Sequence, residues 1–177
     1  MACSQTYNGI PYDCSSSMGG IREVYIANHD DVTEKTVSED MITAITMAEG
    51  GEPSATKKFK TYSFRKGTAS MTSTLNVDAA NGVNYVSTDL VLQFGKMETA
   101  KRVEIANLAI GEVDVIVKDA NGKYWYLGYD EPVTASAGEG STGTAATDAN
   151  RYQITLQDQS QTFPYEVDPE IIEGLID

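Results

Sequence analysis

The chain is poor in the side chains that most often carry catalysis or bind metals. Its 177 residues include one histidine, His29, and two cysteines, Cys3 and Cys14. A serine nucleophile would need that one histidine as its base, and no serine lies in a nucleophile-elbow pattern. Two cysteines define neither a zinc site nor a disulfide framework. We therefore expect no enzymatic activity, no metal and no cofactor.

Two short patterns look like functional motifs but lack the required context. His29 is followed by Asp30 and Asp31, yet consecutive residues rarely converge on one ion, so the pattern favours a solvated turn. A GxGxxG sequence at 138–143 lies in a stretch rich in Ser, Thr and Ala, not between a strand and a helix. We expect neither a metal cluster nor a dinucleotide site.

Long apolar runs and positive charge are also scarce. No stretch approaches membrane-spanning length, and residues 1–17 lack the basic patch and apolar run of a signal peptide. Lys and Arg number 13 against 26 Asp and Glu, a net charge of -13, whereas a DNA binder gains affinity from basic residues. We expect synthesis in the cytoplasm and no membrane partner. The acidity suits either solubility alone or a channel wall along which DNA slides without adhering.

Alternating apolar residues predict a mainly β fold, a single-domain sandwich or barrel of about seven or eight antiparallel strands. The clearest pair is a hairpin around Asn81-Gly82, whose residues tolerate the positive φ of a tight turn. A second tight turn is expected at Asn121-Gly122. The expected strands are 21–27, 42–47, 59–64, 71–77, 90–94, 113–117, 124–129 and 152–156.

The segment Val37–Ala48 is ambiguous. Its apolar spacing and a Thr36–Glu39 capping box favour a helix, but its β-branched residues favour a strand, which we prefer. The run Glu49–Lys58 is expected to be a long loop, across which strand 59–64 pairs with the preceding strand.

One flanking helix is predicted over about 98–110, with Thr99 as its cap and Gly111 as its stop. A short C-terminal helix is predicted after Asp168-Pro169. The stretch 131–150 is expected to be a flexible excursion. The chain then divides into a leader, 1–20, a β domain, 21–168, and a C-terminal tail, 169–177.

A cluster of basic residues stands out in this acidic chain. It is either a solvated face or a patch that docks on an acidic face of the next copy. Together with part of the preceding loop, it forms the candidate assembly interface: Glu52, Pro53, Lys57, Lys58, Lys60, Arg65 and Lys66.

Three segments resemble virion proteins of phages that infect Bacteroidetes, of the tail tube type. They are 20–27 (GIREVYIA), 59–70 with its FRKGTAS, and 122–128 (GKYWYLG), which is followed later by TGTA at 142–145 and by Tyr152. The resemblance spans most of the chain and rests on structural rather than catalytic residues.

This resemblance implies a virion subunit that forms rings, usually hexameric, which stack into a tube. The fold would be like that of type VI secretion tubes. Strands from 59–94 would join those of neighbouring copies in a continuous wall, and the loops, leader and tail would reach adjacent copies. Asp78 and Asp89 are candidates for the lumen, through which DNA would pass without specific binding. The implied partners are further copies of the chain and other virion proteins.

Two alternatives remain open from the sequence. A head decoration or neck protein would share the β-rich fold but bind capsid instead of stacking on itself. A carbohydrate-binding or host-surface module would use Trp125 and tyrosines, because aromatic faces stack on sugars.

Overall fold

The computed structural model describes residues 7–50 and 56–177, and within them the chain forms eleven strands and two α-helices. A short 3₁₀ turn, His29–Asp31, joins the first two strands. In chain order the elements are β1 Ile21–Asn28, β2 Val32–Ser38, β3 Met41–Met47, β4 Lys60–Ser63, β5 Ala69–Asp78, β6 Val83–Gly95, α1 Thr99–Ile110, β7 Val113–Asp119, β8 Tyr124–Leu127, β9 Thr134–Ser141, β10 Arg151–Ser160, β11 Tyr165–Val167 and α2 Pro169–Leu175.

The strands form two sheets that pack as a sandwich. The larger sheet has seven strands in the order β2-β3-β11-β8-β7-β1-β4, and the smaller has four in the order β5-β6-β10-β9. The prediction of a mainly β fold is confirmed. The fold is a sandwich and not a closed barrel, because each sheet ends in edge strands that pair on one side only. Pairing is antiparallel except between β11 and β3.

The core consists of two apolar clusters on opposite faces of the larger sheet. The first lies between the sheets and includes Val24, Ile26, Leu90, Leu92, Val115, Val117, Ile154 and Leu156. The second lies on the other face, under α2, and includes Tyr25, Ile42, Phe59, Ile116, Tyr126 and Ile172. Because β1 and β7 contribute alternate residues to both clusters, these central strands are buried on both faces.

The two helices form where the sequence predicts them. α1 covers Thr99–Ile110, with Glu98 rather than Thr99 at its N-cap and Gly111 at its C-cap. Leu108 is its buried residue, and the helix packs against β9 and β10. α2 begins at Pro169, where the Asp168 carboxylate accepts a hydrogen bond from the Glu170 amide at 2.9 Å.

Residues 169–177 pack against the larger sheet of their own chain. Ile172 and Leu175 of α2 are buried in the second cluster. The Phe59 amide donates to the Leu175 carbonyl at 2.9 Å, and the Asp177 amide donates to the Phe59 carbonyl at 3.1 Å. Residues 169–177 are thus held by their own chain, and the expected contact of this tail with a neighbouring copy stays a prediction.

The region Val32–Met47 is a hairpin. The preference for a strand is confirmed for 42–47, but β2 was missed, because no strand was expected between the turn at 29–31 and residue 42. Glu39 is not part of a capping box: Glu39 and Asp40 have φ of 53° and 63° and form the turn between β2 and β3.

β4 pairs with β1, not with β3 as expected. The hydrogen bonds of Phe59 to the end of α2 direct the following strand to the opposite edge of the sheet. The corresponding side of β3 is taken by β11.

The stretch 131–150 is not simply a flexible excursion, since its first half forms β9 along β10. Of the glycines in the GxGxxG pattern, Gly140 is the one that allows close packing. A Cβ on Gly140 would lie 3.0 Å from the Tyr152 ring and 3.3 Å from the Met97 methyl group.

Candidate functional site

The basic residues do not form one free patch. Lys60 pairs with Asp177, the Lys58 ammonium donates to the Ile176 carbonyl at 3.0 Å, and Lys57 lies 3.7 Å from an Asp31 carboxylate oxygen. All three lysines therefore contact groups of their own chain. Arg65 and Lys66 lie apart from them, exposed in the connection between β4 and β5. Glu52 and Pro53, the other candidates for the assembly interface, lie outside the described residues.

The two candidate lumen residues share one surface, the outer face of the four-stranded sheet. Asp89 is exposed on β6 and accepts a hydrogen bond from the Gln157 side chain at 2.9 Å. Asp78 ends β5 and accepts from the amides of Ala80 and Asn81 at 3.0 and 3.2 Å. These bonds, together with one from the Asn81 side chain, hold the pKa of Asp78 below its usual value.

This outer face is polar but carries little charge. Alternation along the strands places three carboxylates on it, those of Asp78, Asp89 and Glu139, and one guanidinium, that of Arg151. The rest of the face is mainly hydroxyl and amide side chains, among them Ser70, Thr72, Thr74, Asn76, Ser87, Gln93, Gln153, Thr155, Gln157 and Gln159. The face therefore carries a small net negative charge.

The four edge strands differ in how they are protected against pairing with another chain. β2 carries Glu34 and Lys35 and two register shifts, and β4 has only four residues, beginning with Lys60. β9 contains glycines, an acid and a register shift, and α1 packs on it. Charges, irregular register, shortness and cover are the usual defences of an edge.

β5 has none of these defences. It runs for ten residues in unbroken register with β6, and it carries no charge before Asp78. Proline is absent from it as well. Among the described edge strands, β5 is the long and regular one. Its outer backbone N–H and C=O groups are free to pair with another strand.

The far end of the β5–β6 hairpin extends past the sheet. β10 ends at Ser160, opposite Val86, so the hairpin has no third strand beyond this row. We call residues 76–85 the overhang. Its apolar side chains are exposed: Val77 by 64%, Val83 by 43% and Tyr85 by 37%. Leu75, in the row of Val86, is exposed by 50%.

Sequence reasoning missed a buried polar cluster around Asp114. This carboxylate is fully buried, accepts from the Tyr126 hydroxyl at 2.7 Å and lies 3.3 Å from the Lys35 ammonium. A ring nitrogen of His29 donates to it at 2.9 Å. His29 lies in the 3₁₀ turn with Asp30, and its ring, 32% exposed, also contacts the buried carboxylate. Burial and the neighbouring carboxylate raise the pKa of Tyr126 far above its usual value.

Gly128 links this cluster to the second sheet. Its carbonyl accepts from the Lys35 ammonium at 2.6 Å, and its amide donates to Asp158 on β10 at 3.1 Å. Burial raises the pKa of Asp158 to about 6, and the charges of Asp130 and Asp114 add to the effect. The cluster connects β2, β7 and β10, so its evident role is to hold the sheets together.

The buried carboxyl of Asp158 should make stability depend on pH. Its folded pKa of about 6 exceeds the ordinary value of 3.8, so the folded state binds the proton more tightly and stability falls as pH rises through this window. Asp158→Asn keeps an acceptor for the Gly128 amide and removes the charge. We expect the variant to gain about 1–2 kcal/mol at pH 7.5 and little at pH 4, measured by urea unfolding.

The matched control for this measurement is Asp89→Asn, on an adjacent strand but exposed. It should shift stability by less than about 0.5 kcal/mol at either pH. Parallel pH profiles for wild type and Asp158→Asn would show that Asp158 does not titrate in this way.

Trp125 is partly buried. Its indole packs against the first core cluster, and its Nε1 donates to Asp119 at 3.1 Å. These contacts occupy part of the side chain on which the carbohydrate-binding alternative depends, and that alternative stays a prediction.

Within residues 7–50 and 56–177, no group of three His, Cys, Asp or Glu side chains is arranged to hold a metal ion. The helices of the same residues are all too short or too polar to cross a membrane. Comparison with models of protein families gave no match, and comparisons with curated proteins and with solved structures gave none either.

Proposed function

We propose that the protein is a structural subunit that assembles with copies of itself through β5, and that the assembly is a phage tail tube. The observation that carries the proposal is the undefended edge of β5 beside three edges that are short, irregular, charged or covered. A subunit that stays alone gains nothing from such an edge, which invites pairing with another chain. A subunit that adds a neighbour's strand satisfies these backbone groups. A ring requires β5 to join a different edge of the neighbour, which in the same sheet is β9, because pairing of β5 with β5 would close as a dimer.

The outer face of the four-stranded sheet supports the choice of a tube. If β5 continues the sheet into the next copy, this face becomes one wall of the assembly. Its small negative charge and its hydroxyl and amide side chains would repel phosphate weakly and offer no cationic contact except Arg151. Such a wall suits the passage of DNA without binding.

The resemblance to tail tube proteins agrees with this assignment. The segment 20–27 contains most of β1, the segment 59–70 contains β4 and the start of β5, and 122–128 contains β8. These segments build the larger sheet and the entry into the proposed edge, which is the part of the fold that would set the position of β5.

Placing lysines on the edge of β5 should abolish assembly. Thr72 and Thr74 are exposed on β5, so Thr72→Lys/Thr74→Lys adds two charges per copy without disturbing the core. We expect wild type to form rings or tubes in negative-stain microscopy and the variant to remain monomeric by light scattering, with an unchanged melting temperature.

The matched control is Gln157→Lys/Gln159→Lys. These residues occupy the same two rows of the sheet, opposite Asp89 and Ser87, but on the central strand β10. Assembly should survive this change. Equal loss of assembly in both variants would show that charge on the outer face of the sheet, and not pairing at the β5 edge, decides assembly. Closed dimers or trimers that never extend would instead favour the neck or head decoration protein.

A further inference from the structure

The buried polar cluster holds an amine beside a carboxyl group. The Lys35 nitrogen lies 3.3 Å from Asp114 Oδ2. Since Oδ2 is bonded to Cγ, this nitrogen stands next to the carbon that an amine attacks. The Lys35 ammonium also donates to the Gly128 carbonyl at 2.6 Å, which fixes the end of a long and flexible side chain. Groups held in contact in this way react as if they were present at very high concentration.

The place where the two groups meet is shielded from water. Asp114 is fully buried, and the Lys35 side chain is only 13% exposed. The rings of Tyr126 and Tyr129 lie with their centroids 5.2 and 5.9 Å from the Lys35 nitrogen. Such a site favours a reaction that releases water and removes two buried charges, because buried charges are costly to desolvate.

Both oxygens of Asp114 receive a hydrogen bond from a group other than the lysine. The Tyr126 hydroxyl donates to Oδ2 at 2.7 Å, and a ring nitrogen of His29 donates to Oδ1 at 2.9 Å. Such donors stabilise the negative charge that develops on a carboxyl oxygen when a nucleophile adds to its carbon. The His29 ring is partly exposed, so it is also placed to move protons at Oδ1.

We propose that Lys35 and Asp114 join in an isopeptide bond that the folded chain forms by itself. The ammonium gives one proton to the Asp114 carboxylate, and the electron pair of the amine nitrogen then forms a bond to Cγ. The Cγ–Oδ1 bond breaks, and Oδ1 leaves with that electron pair and two protons as water, while Oδ2 remains as the amide oxygen. Both protons come from the ammonium, and His29 passes the second one to Oδ1.

The bond would tie the edge strand β2 to β7, a central strand of the larger sheet. A cross-link between residues 35 and 114 closes a long loop in the unfolded chain and so lowers the entropy of that state. Unfolding before conversion reports the ion pair alone, and unfolding after conversion also reports the cross-link. This inference goes beyond the proposed function and does not depend on it, because it concerns the single subunit.

The mass of the intact protein tests the bond. We expect purified wild type, kept folded at neutral pH, to lose the mass of one water, and protein kept unfolded in urea to retain its full mass. Trypsin does not cleave after a modified lysine, so the product should join fragment 23–57, uncleaved at residue 35, to fragment 103–118.

Two variants separate the chemistry from the fold. Lys35→Arg keeps a positive charge beside Asp114 but replaces the amine with a guanidinium that is always protonated, so we expect a folded protein of full mass. His29→Gln changes a partly exposed side chain and should slow conversion about a hundredfold without loss of the folded state, measured by circular dichroism. An unchanged rate in His29→Gln would overturn the part given to His29.

The pair of Glu23 and Lys118 is a control within the same molecule. Its nitrogen and oxygen are 2.9 Å apart, closer than those of Lys35 and Asp114, but its side chains are 34% and 31% exposed. A link through this pair would join fragment 23–35 to fragment 103–123, and we expect none. Wild type that keeps its full mass would overturn the inference. So would loss of water without the 23–57 link, or equal loss of water in Lys35→Arg.

Discussion

Gly128→Ala is expected to destabilise the protein by about 3–5 kcal/mol. Gly128 has a φ of +95°, and a Cβ at this position would lie 2.3 Å from an Asp114 oxygen. An alanine must therefore adopt an unfavourable backbone conformation and also displace the buried carboxylate from its three partners. Urea unfolding followed by tryptophan fluorescence would measure the loss, because Trp125 is partly buried against the first core cluster.

Gly122→Ala is the control for this prediction. Gly122 also has a positive φ, of +84°, but a Cβ there would meet nothing within 4 Å. Gly122→Ala should cost only the free energy of placing an alanine at positive φ, about 1–2 kcal/mol. If the two alanine variants lose equal stability, the contact with Asp114 contributes nothing, and the role assigned to Gly128 is wrong.

Asp114→Ala is expected to cost about 3–5 kcal/mol, the usual penalty for removing one member of a buried ion pair. The Lys35 ammonium, whose side chain is 13% exposed, would keep its carbonyl acceptors but lose its counter-charge. The Tyr126 hydroxyl would lose its buried acceptor at the same time. For a chain of this length, the melting temperature should fall by about 6–20 °C.

A double-mutant cycle with Lys35→Met identifies the cause. Asp114→Ala/Lys35→Met should be more stable than Asp114→Ala by about 1–2 kcal/mol, because the unpaired charge is gone. Glu23 and Lys118 form the comparison pair, with side chains 34% and 31% exposed, and Glu23→Ala should cost no more than about 1 kcal/mol. Additive losses at positions 114 and 35 would contradict the buried ion pair.

Local signals in the sequence predicted the elements that depend on local chemistry. The β5–β6 hairpin follows from alternation around Asn81-Gly82, and α2 follows from the cap and proline at Asp168-Pro169. In both cases, the residues that decide the conformation are neighbours in the chain, so no knowledge of the tertiary fold was needed.

Elements set by distant contacts could not be read in this way. β9 contains glycines that disfavour strands, and it is held by its pairing with β10 and by the helix packed on it. The partner of β4 was decided by hydrogen bonds between Phe59 and residues more than a hundred positions later. The turn at Glu39 was hidden because a glutamate seldom adopts positive φ.

One feature of the sequence could have predicted the buried polar cluster around Asp114. Asp114 and Ile116 lie on the same face of β7, since strand residues two apart point the same way. An aspartate on a face that also carries isoleucine, within a run of valines, predicts a buried carboxylate in need of donors. Its partners, His29 and Lys35, come from far along the chain and could not be named.

The long-range pairing of β1 with β7 constrains the order in which the molecule can fold. Strands of the larger sheet pair residues that are far apart in the chain. Val24 of β1 pairs with Val117 of β7, and Ile42 of β3 pairs with Val167 of β11. The β5–β6 hairpin needs only neighbouring residues and closes early, because short loops close at little entropic cost. Newly made chains would thus present a finished, undefended strand before the larger sheet exists. In that interval, electrostatic repulsion between the highly acidic chains would be the main effect that prevents aggregation.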